Sequence, residues 1–114
     1  MADDATDYCP VFQQAVELIG RRWTASILRV LGDRSLRFGE IRSAIPGLSD
    51  RLLVARLTEL ESEGLVARSE SDADIRYAAT QAGLKLEPIF DSIGCWAAAA
   101  CGDPDANHPG RRRC

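Results

Sequence analysis

Residues 37–64 read RFGEIRSAIPGLSDRLLVARLTELESEG, two helical patterns separated by a Pro-Gly turn. In the first half Phe38, Ile41 and Ile45 recur at spacings of three and four, which predicts a short helix ending at Pro46-Gly47. In the second half Ser49 is a good N-cap, Asp50 sits at the positive helix end, and Gly64 is the stop. Leu53, Leu57 and Leu60 form the buried stripe of this second helix. At about 100° per residue, Arg51, Ala55, Thr58 and Ser62 point away from it, with Leu52 and Val54 on the shoulders.

Downstream, LVARSE (65–70) and IRYAA (75–79) flank the polar turn SDAD, which suggests a β-hairpin with an acidic tip. Upstream, Pro10 suits the first position of a helix running from 10 to 19, and RRWTASILRVLGD continues as a second helix with Trp23, Ile27, Leu28 and Leu31 on one stripe. Thr80 caps a last helix, in which Leu86, Ile89, Phe90, Ile93, Trp96, Ala97 and Ala100 trace an apolar stripe and Pro88 should introduce a kink. That stripe outruns the small domain beneath it and calls for a second copy to cover it.

Helix, turn, helix and hairpin in this order predict a winged helix-turn-helix: mainly α with a small β-hairpin, dimerised through the N- and C-terminal helices. The expected organisation is one domain over 8–101, with flexible segments at 1–7 and 102–114. A chain of 114 residues has room for one modest core. It shows neither a signal peptide nor a run of apolar residues long enough to span a membrane, so a cytoplasmic protein without a membrane partner is expected.

The net charge of −3 at first argues against nucleic acid, yet it is unevenly distributed. Residues 1–20 carry four acids and no base, whereas residues 21–56 carry eight arginines against Asp33, Glu40 and Asp50. A basic block inside an acidic chain is an electrostatic footprint for double-stranded DNA. Arg51 is the best candidate for reading a base edge, because guanidinium pairs bidentately with guanine, and Leu52, Val54 and Ala55 are candidates for thymine methyls. Ser49, Arg56 and Thr58, with Arg22, Thr24, Arg37 and Arg42 at the groove edges, are candidates for phosphate contacts that fix register.

YCPVFQQAVELIGRRWTASILRVLGDRSLRFGEIRSAIPGLSDRLLVARLTELESEGLVAR, continuing into YAATQAG and EPIFDSIGCWA, resembles the HxlR family of bacterial transcriptional regulators over roughly residues 8–97. The resemblance implies a homodimer that binds a palindromic operator as a probable repressor. Its recognition helix would lie in the major groove and its first and last helices, through Val11, Phe12, Ile89, Phe90, Ile93, Trp96 and Ala97, would form the subunit interface. The wing departs from the family, since Glu70, Asp72 and Asp74 stand where minor-groove contact is expected. Arg68 and Arg76 are left to flank the backbone.

Cys9 precedes Pro10 and so occupies a helix cap, where unpaired N–H groups and the dipole favour thiolate. Its alternatives are packing filler and chemical sensor. The family resemblance implies sensing of electrophiles or oxidants, sometimes with a bond to a cysteine on the partner's last helix. Cys101 borders the apolar stripe and is preferred over Cys95 for that role. A static disulfide is disfavoured in a reducing cytosol, and no cofactor or metal is expected, since no Cys-x-x-Cys pair occurs and the one histidine, His108, lies in the tail. Two other regulatory readings compete: a small aromatic effector held reversibly between the first and last helices, and a protein-binding adaptor with weak DNA affinity. A thiol enzyme is the least favoured class and no catalytic residue is assigned, because no base stands near Cys9 in the sequence.

Overall fold

The Pro-Gly turn and the caps on either side of it form as the sequence suggests. The computed structural model describes residues 8–101. The chain runs α1 (Pro10–Ile19), α2 (Thr24–Leu31), β1 (Ser35–Leu36), α3 (Phe38–Ala44), α4 (Asp50–Ser62), β2 (Val66–Ser71), β3 (Asp74–Ala79), α5 (Gln81–Leu84) and α6 (Glu87–Cys101). The ends expected to be flexible, 1–7 and 102–114, lie outside the described residues, as do the side chains of Ala100 and Cys101.

Ser49 Oγ accepts the Leu52 backbone N–H at 3.1 Å and starts α4. At the other end Gly64 takes φ 77°, and the Leu65 N–H closes back to the Leu60 carbonyl at 2.9 Å, a Schellman stop that needs a residue tolerant of the left-handed region. The core is built from Ile27, Leu28 and Leu31 of α2, Ile41 of α3, Ile45 and Leu48 of the turn, and Leu53, Leu57 and Leu60 of α4, closed by Val66 and Phe90. Burying one such side chain is worth about 1.5–3 kcal/mol, so this cluster is what fixes α3 and α4 relative to each other.

The hairpin pairs β2 with β3 from Val66↔Ala79 to Ser71↔Asp74, leaving Asp72 and Ala73 as a two-residue turn with φ 50° and 67°. β1 adds a third, antiparallel strand in the order β1-β3-β2. It was not expected, and two residues are too few for strand alternation to show in sequence.

The last helix is a correction. Instead of one helix kinked at Pro88, α5 ends at Leu84 and α6 begins at Glu87, so Pro88 sits in a first turn, where its missing N–H costs nothing. Thr80 caps α5 by accepting the Gly83 N–H at 3.2 Å and donates its own hydroxyl to the Gly64 carbonyl at 2.6 Å. A Cβ on Gly83 would lie 2.3 Å from the Leu65 carbonyl oxygen, so only glycine permits this close approach.

No residue of α1 is buried. Ten residues are too few for a helix to be stable alone in water, and Tyr8, Val11, Phe12 and Val16 are all exposed beside it. On α6 the stripe divides: Phe90 and Ala98 pack inward, whereas Ile89, Ile93 and Trp96 stay exposed, Trp96 at 72%.

Candidate nucleic-acid interface

α4 turns Leu53, Leu57 and Leu60 into the core and presents Arg51, Val54, Ala55, Thr58 and Ser62 outward. Leu52 is half-buried against the core, and Val54 is 53% exposed, an aliphatic side chain held out from an otherwise polar ridge. Arg51 is exposed and forms no ion pair or hydrogen bond among the described residues. Thr58 donates its hydroxyl to the Val54 carbonyl at 2.8 Å, which leaves the oxygen lone pairs outward.

The surrounding arginines are held in place by acids. Arg42 pairs with Asp50 across the turn between α3 and α4. Arg56 donates from Nε to the Arg22 carbonyl at 2.8 Å and from Nη1 to Glu59 at 3.3 Å, tying α4 to the segment before α2. Arg22 itself lies over the Trp23 ring, 5.0 Å from its centroid. On the wing Arg68 pairs with Glu70 at 3.6 Å. Exposed pairs of this kind contribute little net stability, so a phosphate can replace the acid at small cost.

Asp74 changes the reading of the acidic wing. Its carboxylate accepts from Arg37 Nε at 2.8 Å and from Arg76 Nε at 3.0 Å, and Arg76 also donates to the Ser35 carbonyl at 3.1 Å. These contacts hold the Asp74 carboxyl below the ordinary carboxylate range, Arg37 contributing most, and Asp74 in turn raises the Arg37 guanidinium. One wing acid is therefore a strut to the start of α3. Sequence reasoning missed this role, because 37 positions separate the partners.

Two expected site residues are corrected. Thr24 is 1% exposed with its hydroxyl unpaired among the described residues, and so is no phosphate contact on this surface. Trp23 enters α2 with φ 77°, and the first helical residue after it faces the core. Phe90, expected at a subunit interface, is 6% exposed and belongs to the protomer's own core.

Cys9 caps α1: its Sγ accepts the Phe12 N–H at 3.5 Å, and the thiol is free and exposed. Cys95 is half-buried and disulfide-bonded, though not to Cys9, which corrects the expectation against a static disulfide. That expectation concerned persistence in a reducing compartment, which does not prevent two sulfurs from approaching. Among the described residues no helix is long and apolar enough to cross a membrane.

An outward-facing helix seated by a turn on a short support helix, with a three-stranded wing beside it, defines a winged helix-turn-helix protein. Residues 18–104 match the HxlR-like helix-turn-helix family, and the chain belongs to it. It is 43% identical over 95 residues to the uncharacterized HTH-type transcriptional regulator YvaP of Bacillus subtilis, covering 81% of this chain and 88% of YvaP. The reduced form of the transcriptional regulator YodB from B. subtilis superposes with a TM-score of 0.76 at 35% identity, covering 82% of this chain and 95% of that one. YodB has also been solved quinone-bound and diamide-treated. The redox regulator HypR in its oxidized form gives a TM-score of 0.72 at 31% identity, covering 80% and 96% of the two chains.

Proposed function

We propose that the protein is a transcriptional regulator that binds a palindromic operator as a homodimer and represses the adjacent gene. The observation that carries this reading is the outward face of α4, where Arg51 is exposed with no partner among the described residues and Val54 projects beside it. A guanidinium for guanine and an apolar group for a thymine methyl are the chemistry of major-groove reading. Arg22, Arg37, Arg42, Arg68 and Arg76 are the candidates for phosphate at its margins, with Ser49 at the α4 cap and Arg56 and Thr58 on the helix, Thr58 turning its hydroxyl from the Val54 carbonyl to donate.

Dimerisation through α1 and α6 is supported by the side chains left exposed there: Val11 at 75%, Phe12 at 67%, Ile89 at 47%, Ile93 at 50% and Trp96 at 72%, with the half-buried Ala97 between them. A twofold axis between such helices sets two recognition helices about 34 Å apart, one turn of the duplex.

Cys9 is the sensor in this reading. A free thiol exposed at a helix N-terminus is open to electrophiles and oxidants, and relatives solved in quinone-bound, diamide-treated and oxidized forms lend the reading support. With a quinone, the S–H adds across the conjugated ring, forming one S–C bond and leaving a thioether-bearing hydroquinone. With diamide, two thiols lose two protons and two electrons to the N=N bond and join as a disulfide; Cys101, which borders the apolar stripe of the last helix in the sequence, is the preferred partner over Cys95.

Footprinting and gel-shift on the DNA upstream of the gene test the reading. Affinity should fall steeply with salt, as counterion release requires. A flat salt response would instead favour a protein-binding adaptor. Release of DNA by diamide from a Cys9→Ala variant would remove the sensor from the account.

A further inference from the structure

The partner of Cys95 follows from the geometry of α6. Cys95 is disulfide-bonded within the chain while Cys9 is free, so its partner is Cys101 or Cys114. α6 is helical through Cys101, which sets the Cα atoms of Cys95 and Cys101 about 10 Å apart, about 9 Å of that along the axis. A disulfide needs them within about 7 Å. Cys114 is the one cysteine left.

The length of chain between the two allows the bond. Residues 102–114 can extend to about 43 Å, several times the distance back from the end of α6 to Cys95. Arg111, Arg112 and Arg113 directly precede Cys114, so fixing its sulfur also fixes three guanidinium groups within reach of the same spot.

The surface around Cys95 has the complementary charge. Glu87, Asp91 and Cys95 are spaced by four and so share one edge of α6, nearly opposite Ile89, Ile93 and Trp96, the face given above to a second copy. These two acids are the only charged residues of the helix. Arg29 Nη1 bonds Glu87 Oε1 at 3.2 Å and Asp91 Oδ1 at 2.6 Å, so each carboxylate keeps a second oxygen as an acceptor. Asp91 also has an interaction besides that with Arg29. One guanidinium against two carboxylates leaves the edge negative, and the arginines next to Cys114 answer it.

We propose that Cys95 and Cys114 form a reversible disulfide that docks residues 111–113 on the acidic edge of α6, and that its reduction releases the three arginines to duplex phosphates. Hydrogen peroxide makes the bond: the two thiols give two protons and two electrons to the O–O bond, leaving S–S and two water molecules. A dithiol breaks it by returning two electrons and two protons and closing into its own disulfide. In a reducing compartment such a bond is transient and serves redox sensing. The tether is separate from Cys9. Release onto DNA rests on the regulator reading above; the bond and the docking do not.

The test treats the full chain with hydrogen peroxide, blocks the remaining thiols with N-ethylmaleimide and takes the band of monomer mass from a non-reducing gel. Cleavage at acidic residues, Asp105 among them, then parts Cys95 from Cys114 for mass spectrometry. A link between these two is expected in the wild type and in Cys101→Ser. Maleimide on Cys114, or its linkage to Cys9 or Cys101, overturns the proposal. Arg111→Gln, Arg112→Gln and Arg113→Gln together should lower the equilibrium constant of the bond against dithiothreitol about threefold at low salt, with no difference at about 1 M salt. Equal constants at low salt overturn the docking. Duplex binding is read in Cys9→Ala, oxidised and reduced, so that Cys9 chemistry does not contribute. The salt slope should be steeper by about 2–3 in the reduced form, and equal slopes overturn the release. A chain that forms the link but binds no DNA keeps the tether and sinks the regulator reading, whereas one that binds operator with Cys114 unlinked does the reverse.

Discussion

Asp74, the first residue after the wing turn, accepts a hydrogen bond at 2.8 Å from Arg37, the residue that caps α3. A side chain that reads as electrostatic repulsion in sequence is thus a strut between wing and support helix. Its folded carboxyl is depressed below the unfolded value, so the contact adds stability above the ordinary carboxylate range and loses it as pH falls through the folded value. Urea unfolding followed from about pH 5 to about pH 2 should show an acid-side loss that is smaller in Asp74→Asn. Identical pH profiles would remove the strut.

Ala73 holds φ 67° in the two-residue turn, a conformation that costs a residue with a Cβ about 1–2 kcal/mol. Glycine removes that cost and gives back about 0.4–1 kcal/mol through a freer unfolded chain. Ala73→Gly should therefore stabilise the protein by about 0.5–1 kcal/mol in urea melts. Destabilisation would contradict the turn geometry.

Trp96 and Phe12 are the most exposed aromatic rings on α6 and α1. Trp96→Asp or Phe12→Asp should weaken self-association by on the order of 2–4 kcal/mol in sedimentation equilibrium, with helical content of the domain retained. A chain that stays dimeric with both changes would place the interface elsewhere.

Arg51→Ala should cost about 1–3 kcal/mol on the operator and relax the sequence preference at one position of each half-site. Arg22→Ala, by contrast, should weaken binding to all duplexes alike and lower the salt slope by about one. Competition binding at several salt concentrations separates the two, and equal behaviour of both variants would take base reading away from Arg51.

What could be read from the sequence was local. Ser49 and Gly64 bound α4 because a cap and a stop act within a few residues, and α1 spans the expected Pro10–Ile19 because Pro10 marks its first position. The hairpin was legible from its polar turn, although pairing runs further, to Ser71↔Asp74. Longer-range features were not legible. Periodicity shows that α6 has an apolar side but not how it is shared, so Phe90 fell on the wrong side of the division between core and exposed face. Thr24 was misplaced because the left-handed backbone at Trp23 turns the start of α2 inward, and no residue-type preference signals a tryptophan in that conformation.

Arg29 clasps α6 through Glu87 and Asp91, two acids one helical turn apart that share a single Nη1. Tilting that arm away from α2 would break both contacts together, because one guanidinium nitrogen carries both. The seat of the C-terminal helix on the rest of the fold is thus written in the charge of one side chain, and Arg29→Gln should loosen it without touching the hydrophobic core.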